Sequence, residues 1–136
     1  MTPPVIRTVP AGAADTPRCE LSQRFFFEAA HTLRRAVEAE GSLRMHGHTY
    51  EAEVTVAGTP AAGSGMVMDL ALLRAEIQRV RELLDHRLLD EVEGLGPATL
   101  ENLCLFIHGQ LLAAVPGVCA VMVERRASGD RCLLRV

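Results

Sequence analysis

The sequence has no tryptophan and only one tyrosine among its 136 residues. Proteins that bind single-stranded nucleic acid stack bases on several aromatic side chains, so this composition argues against such a surface. The 14 Lys and Arg residues are outnumbered by 17 Asp and Glu residues, and the basic residues form no block. A nucleic-acid partner is therefore not expected. Nor is a membrane partner, because no apolar run approaches the roughly 20 residues that a spanning helix needs.

The four cysteines lie far apart and form no CxxC pair, which argues against a disulfide framework or a cysteine-based metal site. We interpret them as reduced, mostly buried thiols of a cytoplasmic protein: Cys19, Cys104, Cys119 and Cys132. Residues 1–17 are rich in Pro, Ala and Gly and contain no apolar signal core. They are expected to form a flexible extension ahead of one domain, residues 18–136.

Side chains of two kinds alternate from His46 to Val56, which is typical of a half-buried strand. Residues 32–44 are interpreted as a loop, with room for a short helical turn. Two stretches with apolar residues at helical spacing follow, the first capped by Asp69 and the second opened by Pro97 and Thr99. The predicted strands are 19–31, 46–56, 118–126 and 131–136, and residues 58–65 are interpreted as a connection. The resulting ββααββ order predicts an α+β domain with a four-stranded antiparallel sheet and both helices on one face.

Two of the five histidines, His46 and His48, stand one residue apart at the start of the second predicted strand. Residues two apart in a strand point the same way, so both rings can reach one zinc ion. His31 ends the first predicted strand, and pairing of the two strands would bring it alongside. Three histidines would leave a fourth position open, as in catalytic zinc sites. The alternative is a pair of solvated histidines near a turn.

Two further positions allow a chemical or an ordinary interpretation. Asp85 and His86 follow the first helix, where His86 is either a proton-transfer group tuned by Asp85 or a histidine favoured by the helix dipole. Glu124 ends an apolar strand, where it is either a solvated edge residue or an acceptor for a flat heterocycle. His108, within the second helix, is assigned no chemical role.

Six segments in register carry a family resemblance: "FEAAH", "HGHTYEAEVTVAG", "GMVMDLALL", "LLDHRLLDEV", "ATLEN" and "VMVE". Together they resemble the 6-pyruvoyl-tetrahydropterin synthase and 6-carboxy-tetrahydropterin synthase family over about residues 19–136. The resemblance implies the tunnelling fold, a homo-oligomer built as a hexamer of two trimers, and active sites at subunit interfaces. It also implies a dihydropterin substrate, 7,8-dihydroneopterin triphosphate.

The resemblance also implies roles for individual residues. His31, His46 and His48 match the zinc ligands, and Asp85 and His86 match a catalytic pair. Three further positions match residues that bind the pterin ring or lie near it: Glu124, Thr99 and Glu101.

One departure from the family pattern concerns the catalytic cysteine, which stands shortly before the HGH motif. In the bacterial carboxy type, the cysteine stands four residues before the first histidine of the motif, and this chain has Ser42 there. In the mammalian pyruvoyl type, the cysteine stands six residues before that histidine, and this chain has Glu40 there. An alcohol is a poor base without a proton acceptor beside it, whereas a buried carboxylate can have its pKa raised toward neutrality. Glu38 and Glu40 are the carboxylate candidates in this loop, and both also fit solvated loop charges.

The sequence therefore predicts a zinc-dependent lyase acting on a dihydropterin side chain. The first expectation is an enzyme of the 6-carboxy-tetrahydropterin synthase type, on the 7-deazaguanine route, with Ser42 in place of the cysteine. One alternative is a paralogue that binds zinc and a pterin without turnover. The other is an enzyme that cleaves the side chain with Glu40 as base.

Overall fold

The computed structural model describes residue 2 and residues 17–136 of the chain. The predicted extension, residues 1–17, therefore lies almost entirely outside the described residues. The elements in chain order are β1 (Cys19–His31), α1 (Ala39–Leu43), β2 (His46–Gly58), α2 (Leu70–Leu84), β3 (Arg87–Leu88), a 3-10 helix (Leu89–Glu91), α3 (Leu100–Leu111), β4 (Val118–Arg125) and β5 (Asp130–Arg135).

The sheet contains five strands in the order β3-β1-β2-β4-β5, whereas the sequence predicted four. The additional strand, β3, is two residues long and pairs with the end of β1 in parallel, so the sheet is mixed and not purely antiparallel. A two-residue strand carries no period-two pattern, which is why the prediction of four strands was wrong. The other four strands form the predicted antiparallel pairings.

The two predicted long helices are present, and their first turns are capped as the sequence indicated. The Asp69 side chain accepts a hydrogen bond from the Ala71 N–H, and the Thr99 side chain accepts one from the Asn102 N–H. The short helix α1 lies in residues 32–44, where the sequence left room for a helical turn, whereas the 3-10 helix was not predicted because it is too short to show a helical repeat. Within the described residues, no helix combines the length and apolarity that crossing a membrane requires.

The core lies between one face of the sheet and helices α2 and α3. Phe27 of β1 stacks on Tyr50 of β2 with ring centroids 5.0 Å apart, and both are fully buried. Leu73 and Leu84 of α2 and Leu103 of α3 cover this layer and are also fully buried. Each such side chain contributes about 1.5–3 kcal/mol by leaving water, so this layer fixes the sheet beneath the helices.

The long ladder between β1 and β2 sets the position of the histidines. Its register places His31 opposite His46 and Ala29 opposite His48, at the end of the ladder remote from Cys19 and Gly58. Phe27 and Tyr50, the next pair on the same face, are held by the core. The histidine end of the ladder is therefore anchored by packing on one side.

Candidate functional site

His31, His46 and His48 converge at the end of the β1–β2 ladder, as the sequence predicted. The Nε2 atom of His31 lies 2.9 Å from Nε2 of His46 and 3.1 Å from Nε2 of His48. The ligand atoms of all three residues lie within 4.8 Å of one another. The three rings meet edge to face, with centroids 4.5–4.9 Å apart. One ion placed among these nitrogens would be within reach of all three.

Backbone carbonyls fix the tautomers of two of these rings. His31 Nδ1 lies 2.9 Å from the Ala98 carbonyl oxygen, and His46 Nδ1 lies 2.7 Å from the Arg44 carbonyl oxygen. A carbonyl only accepts, so each Nδ1 carries the proton and each neutral ring presents a lone pair at Nε2. Two lone pairs facing each other at 2.9 Å repel unless a cation lies between them. The donor set therefore fits a metal ion, with the outer nitrogens oriented as metal-binding histidines require.

The surroundings favour the neutral, ligand form of the histidines. Burial lowers the pKa of His31, the Ala98 carbonyl raises it by a smaller amount, and the charge of His46 lowers it further. Burial, followed by the positive charge of Arg125, lowers the pKa of His48 to about 4. Because a metal competes with protons for these nitrogens, a lowered pKa keeps them available at neutral pH.

The histidines line a cavity of about 520 Å³, a volume in the range of small-molecule sites. Ser42, which is 8% exposed, faces this cavity from α1, and its backbone is held by hydrogen bonds with Leu33 and Glu38. The described residues that line it are His31, Leu33, Arg35, Glu38, Gly41, Ser42, His46, His48, Arg125, Ser128 and Asp130. The position that the family pattern gives to a cysteine is thus a buried alcohol beside the histidines.

The two loop carboxylates differ in their relation to this cavity. Glu38 lines it and has a left-handed backbone (φ 55°), with its carboxylate 3.7 Å from Arg35. Glu40 is not among the described lining residues, and its exposed carboxylate lies 3.8 Å from Arg44. The structure therefore places Glu38 in the cavity wall, with a side chain that is 76% exposed, and leaves Glu40, a base candidate from the sequence, outside the described lining.

Among the described residues, none of the four cysteines lines the histidine cavity. Cys104 is buried in α3, and burial raises the pKa of its thiol to about 12, so it is not a reactive thiolate. Cys119 and Cys132 are half-buried, and Cys19 is exposed at the start of β1. The prediction of mostly buried thiols is therefore correct for Cys104 and wrong for Cys19.

Asp85 and His86 form the predicted pair, but at a different cavity. His86 Nδ1 lies 2.8 Å from an Asp85 carboxylate oxygen, and the His86 ring is 75% exposed. The Asp85 carboxylate also accepts a hydrogen bond from the Glu28 N–H and lies 3.2 Å from Arg81. His86 lines a second cavity with Glu28, Thr49 and His48, and it is not a described lining residue of the first. Asp85 therefore orients a ring that is largely exposed.

Replacing Asp85 with asparagine should lower stability by about 1 kcal/mol at neutral pH, because Asn keeps an acceptor for the Glu28 N–H but loses the charge-assisted bonds. The Glu28 hydrogen bond lowers the pKa of Asp85, with smaller contributions from His86 and Arg81. The carboxylate therefore stabilises the fold above its unfolded pKa of about 4, and the effect disappears as the pH falls through the folded value. Urea unfolding at pH 7 and pH 3 checks this, and a gap between the two proteins that is equal at both pH values would contradict it.

The three residues assigned to the pterin ring lie at two separate places. Thr99 and Glu101, at the start of α3, line a cavity of about 840 Å³ that shares Arg35 and Arg125 with the histidine cavity. Glu124 pairs with Glu51 across β4 and β2, next to Arg126. Because Glu51 alternates with the inward-facing Tyr50 and Ala52, Glu124 lies on the sheet face opposite the histidines. One subunit therefore does not bring Glu124 to its own histidine cavity.

Sequence reasoning missed Arg125, which lines the cavity from β4. Arg125 has the same parity along the strand as Val121 and Val123, both fully buried, and so lies on the helix-covered face. Its side chain is 21% exposed, and Nη2 lies 2.9 Å from the Asp130 carboxylate. A charged residue continuing the buried parity of an apolar strand was the signal that could have revealed it.

Comparisons with known proteins agree with this geometry. The model of the 6-pyruvoyl tetrahydropterin synthase family matches residues 20–132. A dihydroneopterin monophosphate aldolase from Pyrococcus furiosus is 34% identical over 74% of this chain and 81% of the relative. The human 6-pyruvoyl tetrahydrobiopterin synthase is 32% identical over 73% of this chain and 79% of the relative. The structure of Caenorhabditis elegans 6-pyruvoyl tetrahydropterin synthase superposes with a TM-score of 0.78 at 25% identity, covering 89% of this chain and 97% of that one. The chain belongs to the 6-pyruvoyl tetrahydropterin synthase family.

Proposed function

We propose that this protein is a zinc-dependent lyase that cleaves the side chain of a phosphorylated 7,8-dihydroneopterin. The observation that carries the proposal is the histidine cavity, where three convergent nitrogens stand beside a carboxylate and an alcohol, and where no described thiol is present. The similarity to a dihydroneopterin monophosphate aldolase supports the choice of reaction. The histidines fit zinc because they offer three neutral nitrogens with an open fourth position.

The base in this proposal is Glu38. A zinc ion held by the histidines supplies Lewis acidity, which makes hydroxyl protons of the substrate easier to remove. Glu38 then takes the proton of the side-chain hydroxyl at C2′, the C1′–C2′ bond breaks, and C2′ becomes an aldehyde carbonyl. The electron pair of the broken bond passes into the dihydropterin ring system, and C1′ later receives a proton. Ser42, held beside the histidines, donates or accepts a hydrogen bond to the same side chain.

We propose that Glu124, Asp85 and His86 act at the histidine cavity of a second copy of the chain. Glu124 faces away from the histidines of its own chain, and His86, paired with Asp85, lines another cavity whose wall includes His48. In a homo-oligomer, a neighbouring subunit would contribute the carboxylate that holds the pterin ring and the histidine that returns a proton to C1′. Two sheet edges are available for assembly, because β5 and most of β1 have no outer strand neighbour among the described residues. We therefore propose a homo-oligomer, with a hexamer of two trimers as the expected form.

A second candidate function is that of a 6-carboxy-tetrahydropterin synthase of the 7-deazaguanine route. It is favoured by the place of Ser42, which is buried in the cavity at the position where the carboxy type has its cysteine. In this reaction Ser42 would need a neighbour to take its proton, because an alcohol alone is a poor base.

Mass spectrometry of the products tests both candidates. The zinc-loaded protein is incubated with 7,8-dihydroneopterin monophosphate and, separately, with the triphosphate. Hydroxymethyl-dihydropterin together with a phosphorylated glycolaldehyde supports side-chain cleavage, and carboxy-tetrahydropterin supports the second candidate. Retention of the ligand with no product from either substrate would overturn both and indicate a pterin-binding paralogue. The Ser42→Cys variant tests whether the site lacks only its thiol. If it does, this variant forms the carboxy product and the wild type does not.

A further inference from the structure

Arg125 is a charged residue on the covered face of the sheet whose hydrogen-bonding capacity is only partly used. A guanidinium carries five N–H donors, and its burial is costly unless they are paired. Nη2 pairs with Asp130 at 2.9 Å, and Asp130 also accepts a hydrogen bond from Ser128. Nε is buried and has no hydrogen-bond partner among the described residues. Asp130, at the start of β5, and Ser128, in the turn before it, therefore fix the guanidinium at the cavity wall.

The charges around the cavity suit an anion once a metal is bound. The described lining holds two arginines, Arg35 and Arg125, and two carboxylates, Glu38 and Asp130, so these four charges cancel. A divalent ion bound by three unprotonated imidazoles would leave an excess of positive charge. A phosphate monoester, which carries about 1.5–2 negative charges at neutral pH, balances that excess. Guanidinium groups bind phosphate through paired N–H donors, which gives both charge and direction.

The two ends of a phosphorylated dihydropterin need opposite kinds of partner. The ring edge presents N–H donors and is suited to a carboxylate such as Glu124, whereas a phosphate has only acceptor oxygens. In the histidine cavity, the donors outside the metal ligands are the two guanidinium groups and the hydroxyls of Ser42 and Ser128. The phosphate end therefore fits Arg125, and the ring end does not.

We propose that Arg125, assisted by Arg35, binds the phosphate ester of the substrate and makes this site selective for a phosphorylated side chain. This inference rests on the proposed function for the identity of the substrate. It assigns Arg125 a specificity role that is separate from the chemical step, because Arg125 contacts neither the base nor a proton in transfer.

The test compares binding of 7,8-dihydroneopterin with binding of its monophosphate, by titration calorimetry on the zinc-loaded protein. We expect the wild type to bind the monophosphate at least about tenfold more tightly, as a charge-assisted guanidinium–phosphate contact allows. Arg125→Gln should remove the preference for the monophosphate and leave the affinity for dihydroneopterin within about twofold of the wild type. Arg125→Lys should retain part of the preference, because lysine keeps the positive charge but loses the paired N–H donors of the guanidinium. Arg135→Gln, an exposed arginine of β5, is the matched control and should keep the full preference.

An equal preference in Arg125→Gln and wild type would overturn the inference, provided that both bind zinc and melt cooperatively. If Arg125→Gln does not fold, the Arg125→Lys protein decides, and an undiminished preference in it counts against the role. If neither dihydropterin binds to the wild type, the proposed function fails, and inorganic pyrophosphate becomes the probe. Weaker pyrophosphate binding by the arginine variants than by Arg135→Gln would then support an anion site at Arg125, and equal binding would overturn it.

Discussion

The His46→Ala variant is expected to lose stoichiometric zinc binding and, with it, product formation. His46 supplies one of three convergent nitrogens, and the remaining two ligands leave the ion with half of a tetrahedral shell. In the wild type, zinc at 1,000 times its dissociation constant should raise the free energy of unfolding by about 4 kcal/mol. In His46→Ala that increase should vanish. Metal analysis after dialysis and urea unfolding with and without zinc measure the two effects.

His108→Ala is the matched control for this experiment. His108 lies in α3, outside the histidine cluster, so its replacement should leave zinc content and the zinc-dependent stabilisation unchanged. Full zinc occupancy in His46→Ala would show that the three nitrogens are not the metal ligands. Equal loss in both variants would show that zinc is held elsewhere in the chain.

The second large effect is expected for Glu38→Gln. Glutamine occupies the same space but cannot take a proton, so the rate of side-chain cleavage should fall by about 10²–10⁴-fold. Zinc content and ligand affinity should stay close to those of the wild type, because Glu38 is not one of the three ligands. Single-turnover kinetics on the zinc-loaded protein separate the chemical step from binding.

Glu40→Gln provides the comparison, since the two glutamates lie two residues apart and only Glu38 lines the cavity. We expect Glu40→Gln to keep its rate within about threefold, in line with the small effect of changing an exposed loop charge. If Glu40→Gln loses the rate and Glu38→Gln keeps it, the base assigned from the sequence is the correct one. In that case α1 must adopt another arrangement when substrate is bound.

The strands and long helices were predictable because their patterns are strong and local. The alternation from His46 to Val56 predicted the start of β2 and came within two residues of its observed end at Gly58, and Asp69 marked the start of α2. The short β3 could not be predicted, because it forms only when the chain leaves α2 and meets the end of β1. There His86 has a left-handed backbone (φ 58°) and its N–H bonds to the Glu28 carbonyl, a contact between residues far apart in sequence.

The metal cluster was also predictable, since HxH on a strand sets two ligands and antiparallel pairing supplies the third. The base was not, because residues 32–44 have no repeating pattern. The direction of each glutamate there depends on the left-handed turn at Glu38 and on the Leu33–Ser42 backbone hydrogen bond. Arg125 was overlooked because a strand-end arginine is usually solvated, and only the packed helices reveal that its side of the sheet is covered.

Because side chains alternate along β2, this single strand presents two different sets of candidate site residues, one on each face of the sheet. His46 and His48 lie on the covered face, and Thr49 and Glu51 lie on the face that also holds Glu124. A one-residue insertion or deletion at the start of β2 would exchange these sides, turning the histidines away from His31. Point substitutions in this strand can therefore change one side without the other, whereas a change of length would disable both. In a directed-evolution library, β2 should tolerate replacements at its exposed positions, Gly47 and Thr49, and almost no single-codon insertions.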